Sequence, residues 1–252
     1  MLHVRVIPVL LLLNNGLVKT VEFRNPRYIG DPINAVKIFN NKEVDELTFL
    51  DINASTKGNG PDFQLLKRIS SEAFMPFSYG GGIRNIEDIK QLYGLGIEKI
   101  ILNSSIINDH SIVSDTSSIA GSSGVVVSID VKTNLFGNSL VYSFGGKLKT
   151  NQDPVEYAKE MEYLGAGEIL LNSINHDGKM AGYDLDLISS VSSAVSIPVV
   201  ACGGAGKLQD FREAINSGAS AVAAGSMFVY HGKFKAVLLT YPEYKVLSEL
   251  FN

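Results

Sequence analysis

Tryptophan is missing from this 252-residue chain, and cysteine occurs once, at Cys202. One cysteine excludes an internal disulfide framework and fits a reducing cytosol, so a cytoplasmic protein is expected. Basic residues are outnumbered: 22 Lys and Arg stand against 26 Asp and Glu, a net charge of −4. No basic face is evident, which argues against a nucleic-acid partner. Long apolar runs are absent too. The longest at the start, VIPVLLLL, is too short to cross a bilayer. It has the length of a secretory apolar segment, but no small-residue cleavage site follows, so it reads as a buried strand. His3, His110, His176 and His231 are scattered, and no metal-ligand spacing occurs. Neither a metal nor an organic cofactor is implied. No charge block or low-complexity tract marks a linker, so residues 1–252 read as one domain.

What is present is a large apolar fraction, 45%, with 19% charged residues, as suits a buried enzyme-like core. Two glycine turns stand half a chain apart: Gly80-Gly81-Gly82 in PFSYGGGIRNIEDI and Gly203-Gly204-Ala205-Gly206 in IPVVACGGAGKLQDF. Each follows a short apolar run and precedes an amphipathic helical pattern. Glycine lets backbone approach an anion closely, and a helix N-terminus offers unpaired N–H groups and a positive dipole end. The turns belong to a repeat. Placing Gly81 on Gly203, an offset of 122, also superposes Asp88 on Asp210, Gly96 on Gly218 and Ser104 on Ser226. A repeat occurring twice at half the chain length describes duplicated half-barrels better than a solenoid.

Eight short β-rich runs are predicted at 4–10, 47–51, 76–79, 99–103, 125–130, 168–172, 198–201 and 221–225. Helical patterns lie between them, among others at 32–40, 62–73, 86–95, 154–164, 185–195 and 208–217. The runs are apolar on both pleat faces, as parallel strands covered by helices require. Eightfold alternation with matching halves predicts an α/β protein, a (β/α)8 TIM barrel, ahead of an open doubly wound sheet. Active residues of such barrels stand at the C-terminal strand ends. Asp51, Asn103-Ser104, Asp130, Asn172-Ser173 and Gly225-Ser226 stand there. The segments 11–29 and 132–152 read as long loops, the first a candidate lid.

The stretches LDINAS, YGGGIRNIEDI, LNSS, VVVSIDVK, LGAGEILLNSINHDGKMAGYDL and ACGGAGKLQDF resemble the cyclase subunit of imidazole glycerol phosphate synthase. The resemblance runs from Arg5 to about Phe228. It implies a TIM barrel of two similar halves that takes ammonia from a glutaminase partner and acts on a two-phosphate substrate. It also implies a first phosphate site at Gly82, Asn103 and Ser104, and a second at Asp177, Gly178, Gly204, Gly225 and Ser226. The alternative for the glycines is that they serve tight turns only. Arg5, Glu46, Lys99 and Glu168 match the family's charged gate to an ammonia passage; a plain structural ion network would look the same. Glu98 would face the partner. Lys19 matches a mobile-loop lysine.

The family's cyclase chemistry implies two aspartates, at the ends of the first and fifth strands. Asp130 is the second. Leu11 stands in place of the first, and Leu13 in place of a lysine. Leucine neither accepts nor donates a proton. With IPVLLL, NNGLVKT, FRNPRYIGDPINAVKIFN and NLFG, the chain is most similar to cyclase-like paralogues of surface-polysaccharide clusters. Those are linked, with a glutaminase and a sugar amidotransferase, to converting acetamido into acetamidino groups on sugars. The remaining expectations are a true histidine-pathway cyclase, a catalytically silent scaffold that activates a glutaminase, and the related sugar-isomerase barrel, which Leu11 counts against equally. Cys202 reads as a packing residue, and the tail after 231 departs from the family's final helix.

Overall fold

In the computed structural model, which describes residues 4–252, eight parallel strands form a closed ring. They are β1 (Arg5–Leu13), β2 (Leu47–Asp51), β3 (Phe77–Gly80), β4 (Lys99–Leu102), β5 (Val125–Thr133), β6 (Glu168–Ser173), β7 (Val199–Cys202) and β8 (Ala221–Ala224). Each pairs with the next, and β8 pairs with β1. This is the expected (β/α)8 TIM barrel. His3 lies outside the described residues.

Helices α1 (Pro32–Asn41), α2 (Phe63–Glu72), α3 (Ile86–Gly94), α4 (Ser111–Ala120), α5 (Pro154–Tyr163), α6 (Leu185–Ser192), α7 (Leu208–Asn216) and α8 (Tyr244–Phe251) cover the outside. Local chemistry starts them. Asp31, Asp62, Asn85, Asp153 and Asp184 each accept a backbone N–H from the first turn of the helix they precede, which satisfies otherwise unpaired donors. Helix α4 is not among those the spacing indicates. Its serines mask a short apolar face of Ile112 and Val113, buried with Thr116. The tail docks on the barrel: α8 buries Leu247, and the Tyr241 hydroxyl donates to the Val6 carbonyl at 2.9 Å. The eighth helix is therefore present, displaced along the chain by a short hairpin.

The core has two layers. Side chains such as Phe39, Phe49, Leu66, Ile89 and Phe211 fill the space between strands and helices. A smaller inner set, with Ile7, Val9, Ile101, Val126, Leu170 and Val200, fills the bore. Burying each such side chain contributes about 1.5–3 kcal/mol, so the apolar composition is used on both sides of the sheet.

The 122-residue repeat is exact in the backbone. β3 and β7, α3 and α7, and β4 and β8 begin and end at positions 122 apart. Asp88 accepts the Arg84 N–H at 3.0 Å, and Asp210 accepts the Gly206 N–H at 2.7 Å, so the same side chain pins the same turn in each half.

Two expectations need correction. Segment 11–29 is not a loop. β1 continues to Leu13, and Gly16–Val21 and Arg24–Gly30 form an antiparallel hairpin with it. Asn14 and Asn15 take φ of 49° and 64°, as a two-residue turn of primed type requires. Segment 132–152 likewise carries a strand, Ser139–Ser143, paired back on β5. Polar, glycine-containing composition hid strands that lie at the barrel rim.

Candidate functional site

The C-terminal strand ends surround a cavity of about 290 Å³. All eight expected phosphate residues line it, and so do Asp130, Lys19, Leu11 and Leu13. The four charged residues of the expected gate lie at the opposite end of the barrel. The fold therefore separates the two groups as the sequence grouped them.

At the first corner, Gly82 and Ser104 stand at the ends of β3 and β4. The Gly82 N–H donates to Ser55 Oγ at 3.1 Å, and Ser104 Oγ accepts the Phe144 N–H at 3.2 Å. Ser55 was not anticipated, because its short helix (Ala54–Lys57) carries no periodic pattern. Asn103 turns inward. Its Nδ2 donates to Asp130 Oδ2 at 3.2 Å and to the Ser128 carbonyl at 2.9 Å.

At the second corner, Gly204 has φ of +120° and a Cβ there would collide with the Gly182 carbonyl. Tight-turn geometry thus requires this glycine whether or not an anion binds. Gly178 packs against Thr20, and Lys19 packs against Gly225. Lys19 is buried, and its Nζ donates to the Val9 carbonyl at 2.6 Å. Burial lowers its pKa to about 8, against the pull of Asp177. The Asp177 carboxylate accepts from Thr20 Oγ1 at 3.2 Å and the Phe23 N–H at 3.4 Å. Burial also raises the Asp177 pKa. Lys179 pairs with Glu22 at 2.6 Å. The hairpin is thereby fastened over the second corner, with Asp177 as the fastening.

Asp130 lies on the inner wall, buried. Ser128, two residues earlier on the same pleat face, donates to it at 3.4 Å and was not anticipated, although the period of two along the strand would have pointed to it. Burial, and then the Asp177 charge, push the Asp130 carboxyl up to about 7. Such a group exchanges protons near neutrality.

The barrel register places Leu11 opposite. Asp130 pairs with Asn172, and Leu11 pairs with Leu50. Leu50 and Asn172 are 122 residues apart. Leu11 is therefore the two-fold mate of Asp130, and one half has an Asp–Asn pair where the other has Leu–Leu.

At the floor, Arg5 contacts Glu46 at 2.7 Å and Glu168 at 2.8 Å. Lys99 contacts the same two at 3.0 and 3.1 Å. Four charges of alternating sign close a ring, and each carboxylate has two cations, so no buried charge is left unpaired. Above the ring the bore is mainly apolar, with the buried Thr48 and Ser78 hydroxyls bonded to each other at 2.8 Å. Glu46 and Glu168 are themselves repeat mates, 122 apart.

Other candidates fall away. Ser173, His176 and Asp184 have the composition of a triad, and Ser173 Oγ lies 2.9 Å from His176 Nδ1. None of the three lines the cavity, and Ser173 is buried. Burial raises the Cys202 thiol to about 12, which keeps it protonated. Asp51 accepts the N–H groups of Asn53 and Ala54, each at 3.0 Å, and shapes its turn. Among the described residues, no group of three or more His, Cys, Asp or Glu could hold a metal. No helix among them is long and apolar enough to cross a membrane.

The family described as histidine biosynthesis protein matches residues 5–235. The chain belongs to that family. Within it, the chain is similar to proteins named as HisF-type subunits of imidazole glycerol phosphate synthase. A Pseudomonas aeruginosa protein provisionally named imidazole glycerol phosphate synthase subunit hisF2 is 46% identical over 249 residues, 98% of this chain and 99% of its own length. A Leptospira interrogans protein, provisionally named subunit HisF of the same synthase, is 47% identical over 253 residues, the whole of both chains. A Vibrio vulnificus relative, provisionally hisF3, is 46% identical over 244 residues, 96% of this chain and 94% of its own.

Proposed function

We propose that this family member is the ammonia-accepting subunit of a cytoplasmic glutamine amidotransferase complex that makes acetamidino groups on a surface-polysaccharide amino sugar. Its partners are a glutaminase at the charged floor and a sugar N-acetyl amidotransferase. The observation that carries this reading is Leu11 at the two-fold mate of Asp130. Ring-forming chemistry on the histidine precursor needs acid–base groups on two sides of the cavity, and one side is hydrocarbon. Losing one such group costs about 10²–10⁴-fold in rate.

In this reading the ring of Arg5, Glu46, Lys99 and Glu168 gates ammonia entry, and Glu98 meets the glutaminase. Asp130 is the remaining proton acceptor. Gly82, Asn103 and Ser104 on one side, and Asp177, Gly178, Gly204, Gly225 and Ser226 on the other, receive the phosphates of the ligand. Lys19 contributes a cation near the second. The test is reconstitution with the glutaminase and amidotransferase, glutamine and an N-acetyl sugar substrate. Amidino product should form only when this chain is present; equal yield without it refutes the proposal.

A second reading, the histidine-pathway cyclase, has the paired glycine–serine corners in its favour. It predicts rescue of a histidine auxotroph lacking its cyclase. The silent scaffold predicts that Asp130→Asn leaves product yield untouched.

A further inference from the structure

The linear sequence shows no basic face, yet the fold gathers one. Three antiparallel hairpins stand on the rim at the cavity end: 16–30 after β1, 131–152 on β5, and 230–237 after β8. Together they hold eight Lys and Arg and one acid, Glu22, while the rest of the chain holds 14 against 25. Glu22 is already paired with Lys179. Lys19 is buried; the other seven cations are exposed or half-buried. Lys179 and Lys207 stand in the turns after β6 and β7, so the basic arc runs from β5 through β8 to β1. Asp31, Asp153 and Asp184, at the edges of this arc, each cap the helix that follows. The exposed acids Glu87 and Asp109 follow β3 and β4, on the other arc.

Two of the hairpin tips are apolar and bare. Leu135 is fully exposed, Phe136 is 90% exposed and Phe234 91%. Asn134 Oδ1 accepts the Phe136 N–H at 2.8 Å and the Asn138 N–H at 3.1 Å, so the turn carrying Leu135 and Phe136 is an ordered one. Asp130 pairs with Tyr142 and Thr133 with Ser139 in one ladder, so this turn begins three residues, roughly 10 Å, beyond Asp130. Phe234 stands between Lys233 and Lys235. These side chains add nothing to the core, and their apolar surface is unfavourable in water. What would cover them can be told from their neighbours. Five of the seven accessible cations are lysines, and the core of a protein–protein interface is depleted in lysine. Nucleic acid would take the cations and leave the tips in water. A lipid surface takes both: apolar tips enter the boundary between headgroups and acyl chains, and lysines stay among the headgroups.

We infer that this arc of the rim docks on an anionic lipid leaflet, with Leu135, Phe136 and Phe234 inserted and the flanking lysines against lipid phosphates. The ring of Arg5, Glu46, Lys99 and Glu168, at the other end of the barrel, is left facing away from the leaflet. The attachment is peripheral and reversible, because only three apolar side chains enter and the attraction falls off within a Debye length. This goes beyond the amidotransferase reading and needs neither its partners nor its substrate.

The test is flotation of the full chain with vesicles of phosphatidylglycerol and phosphatidylcholine, compared with phosphatidylcholine alone. The chain should float with the anionic vesicles only, and raised salt should release it. Lys149→Glu combined with Lys233→Glu should weaken binding at least about tenfold. Leu135→Ser combined with Phe136→Ser should weaken it by about the same factor. All four side chains are exposed, so unchanged thermal midpoints should show that the variants fold. Absence of flotation, equal flotation with neutral vesicles, or binding indifferent to either pair of substitutions overturns the inference. So does self-association that depends on Leu135 and Phe136 in sedimentation without vesicle binding, which would make the arc an interface between copies of the chain. Amidino product formation is a separate readout, so failure of that reading leaves this result standing.

Discussion

The two half-barrels share a frame and differ in chemistry. In the first, Asn85 caps α3 and Asp88 pins the turn before it; in the second, Lys207 and Asp210 hold the same places. Glu46 and Glu168 occupy mated positions in the floor ring. Yet Leu11–Leu50 faces Asp130–Asn172 across the cavity. Frame positions are held by backbone geometry: a turn that needs positive φ, or a carboxylate that closes a ring of charge, has few substitutes. A cavity-wall position has many, provided its volume is filled. The frame can therefore persist while one wall passes from proton transfer to packing.

The largest effect should come from the wall that still carries a carboxyl. Asp130→Asn is expected to lower amidino product formation about 10²–10⁴-fold, measured as initial rate with glutamine or ammonium. Leu11→Ala, on the opposite wall, should change that rate far less; equal losses would erase the distinction between the halves. The same residue gives a pH signature. Its folded pKa of about 7 exceeds the ordinary 3.8, so the folded state holds a proton that the unfolded chain releases. The contribution is present below pH 4 and is lost as pH rises through 7. Denaturant unfolding from pH 4 to 8 should show this decline, and Asp130→Asn should flatten it.

A frame position comes next. Gly204→Ala, which drives a Cβ into the Gly182 carbonyl at φ +120°, is expected to cost about 3 kcal/mol of stability, read by thermal unfolding. An unchanged midpoint would mean the turn is free to relax and the shared frame is looser than its packing implies. The smallest effect should be the most selective. Lys99→Glu turns an alternating ring into three acids and one base. Lys99 then loses both of its carboxylate contacts, and glutamine-driven product should fall about tenfold, the scale of a coupling between two sites, while ammonium-driven product is retained.

Much of this comparison was legible in the chain. The 122-residue offset showed itself because Gly81, Asp88, Gly96 and Ser104 recur as Gly203, Asp210, Gly218 and Ser226, and these are residues that geometry restricts. All eight strands follow from apolar runs buried on both faces. What stayed hidden was structure whose composition looked like loop. The rim hairpin built on Asn14-Asn15 and the helix Ser111–Ala120 are polar because one side of each meets solvent. The cavity wall was half legible. Asp130 and Leu11 stood out, but that Asn103 and Ser128 donate to Asp130 did not, because no linear pattern encodes which neighbour donates to which.

The most direct measurement of the central claim gives the isolated chain the histidine-pathway precursor and excess ammonium, and compares it with Leu11→Asp under the same conditions. The account predicts no turnover by the natural chain and a measurable rate once the second carboxyl is restored. Turnover by the natural chain at a rate that Leu11→Asp does not exceed would contradict it.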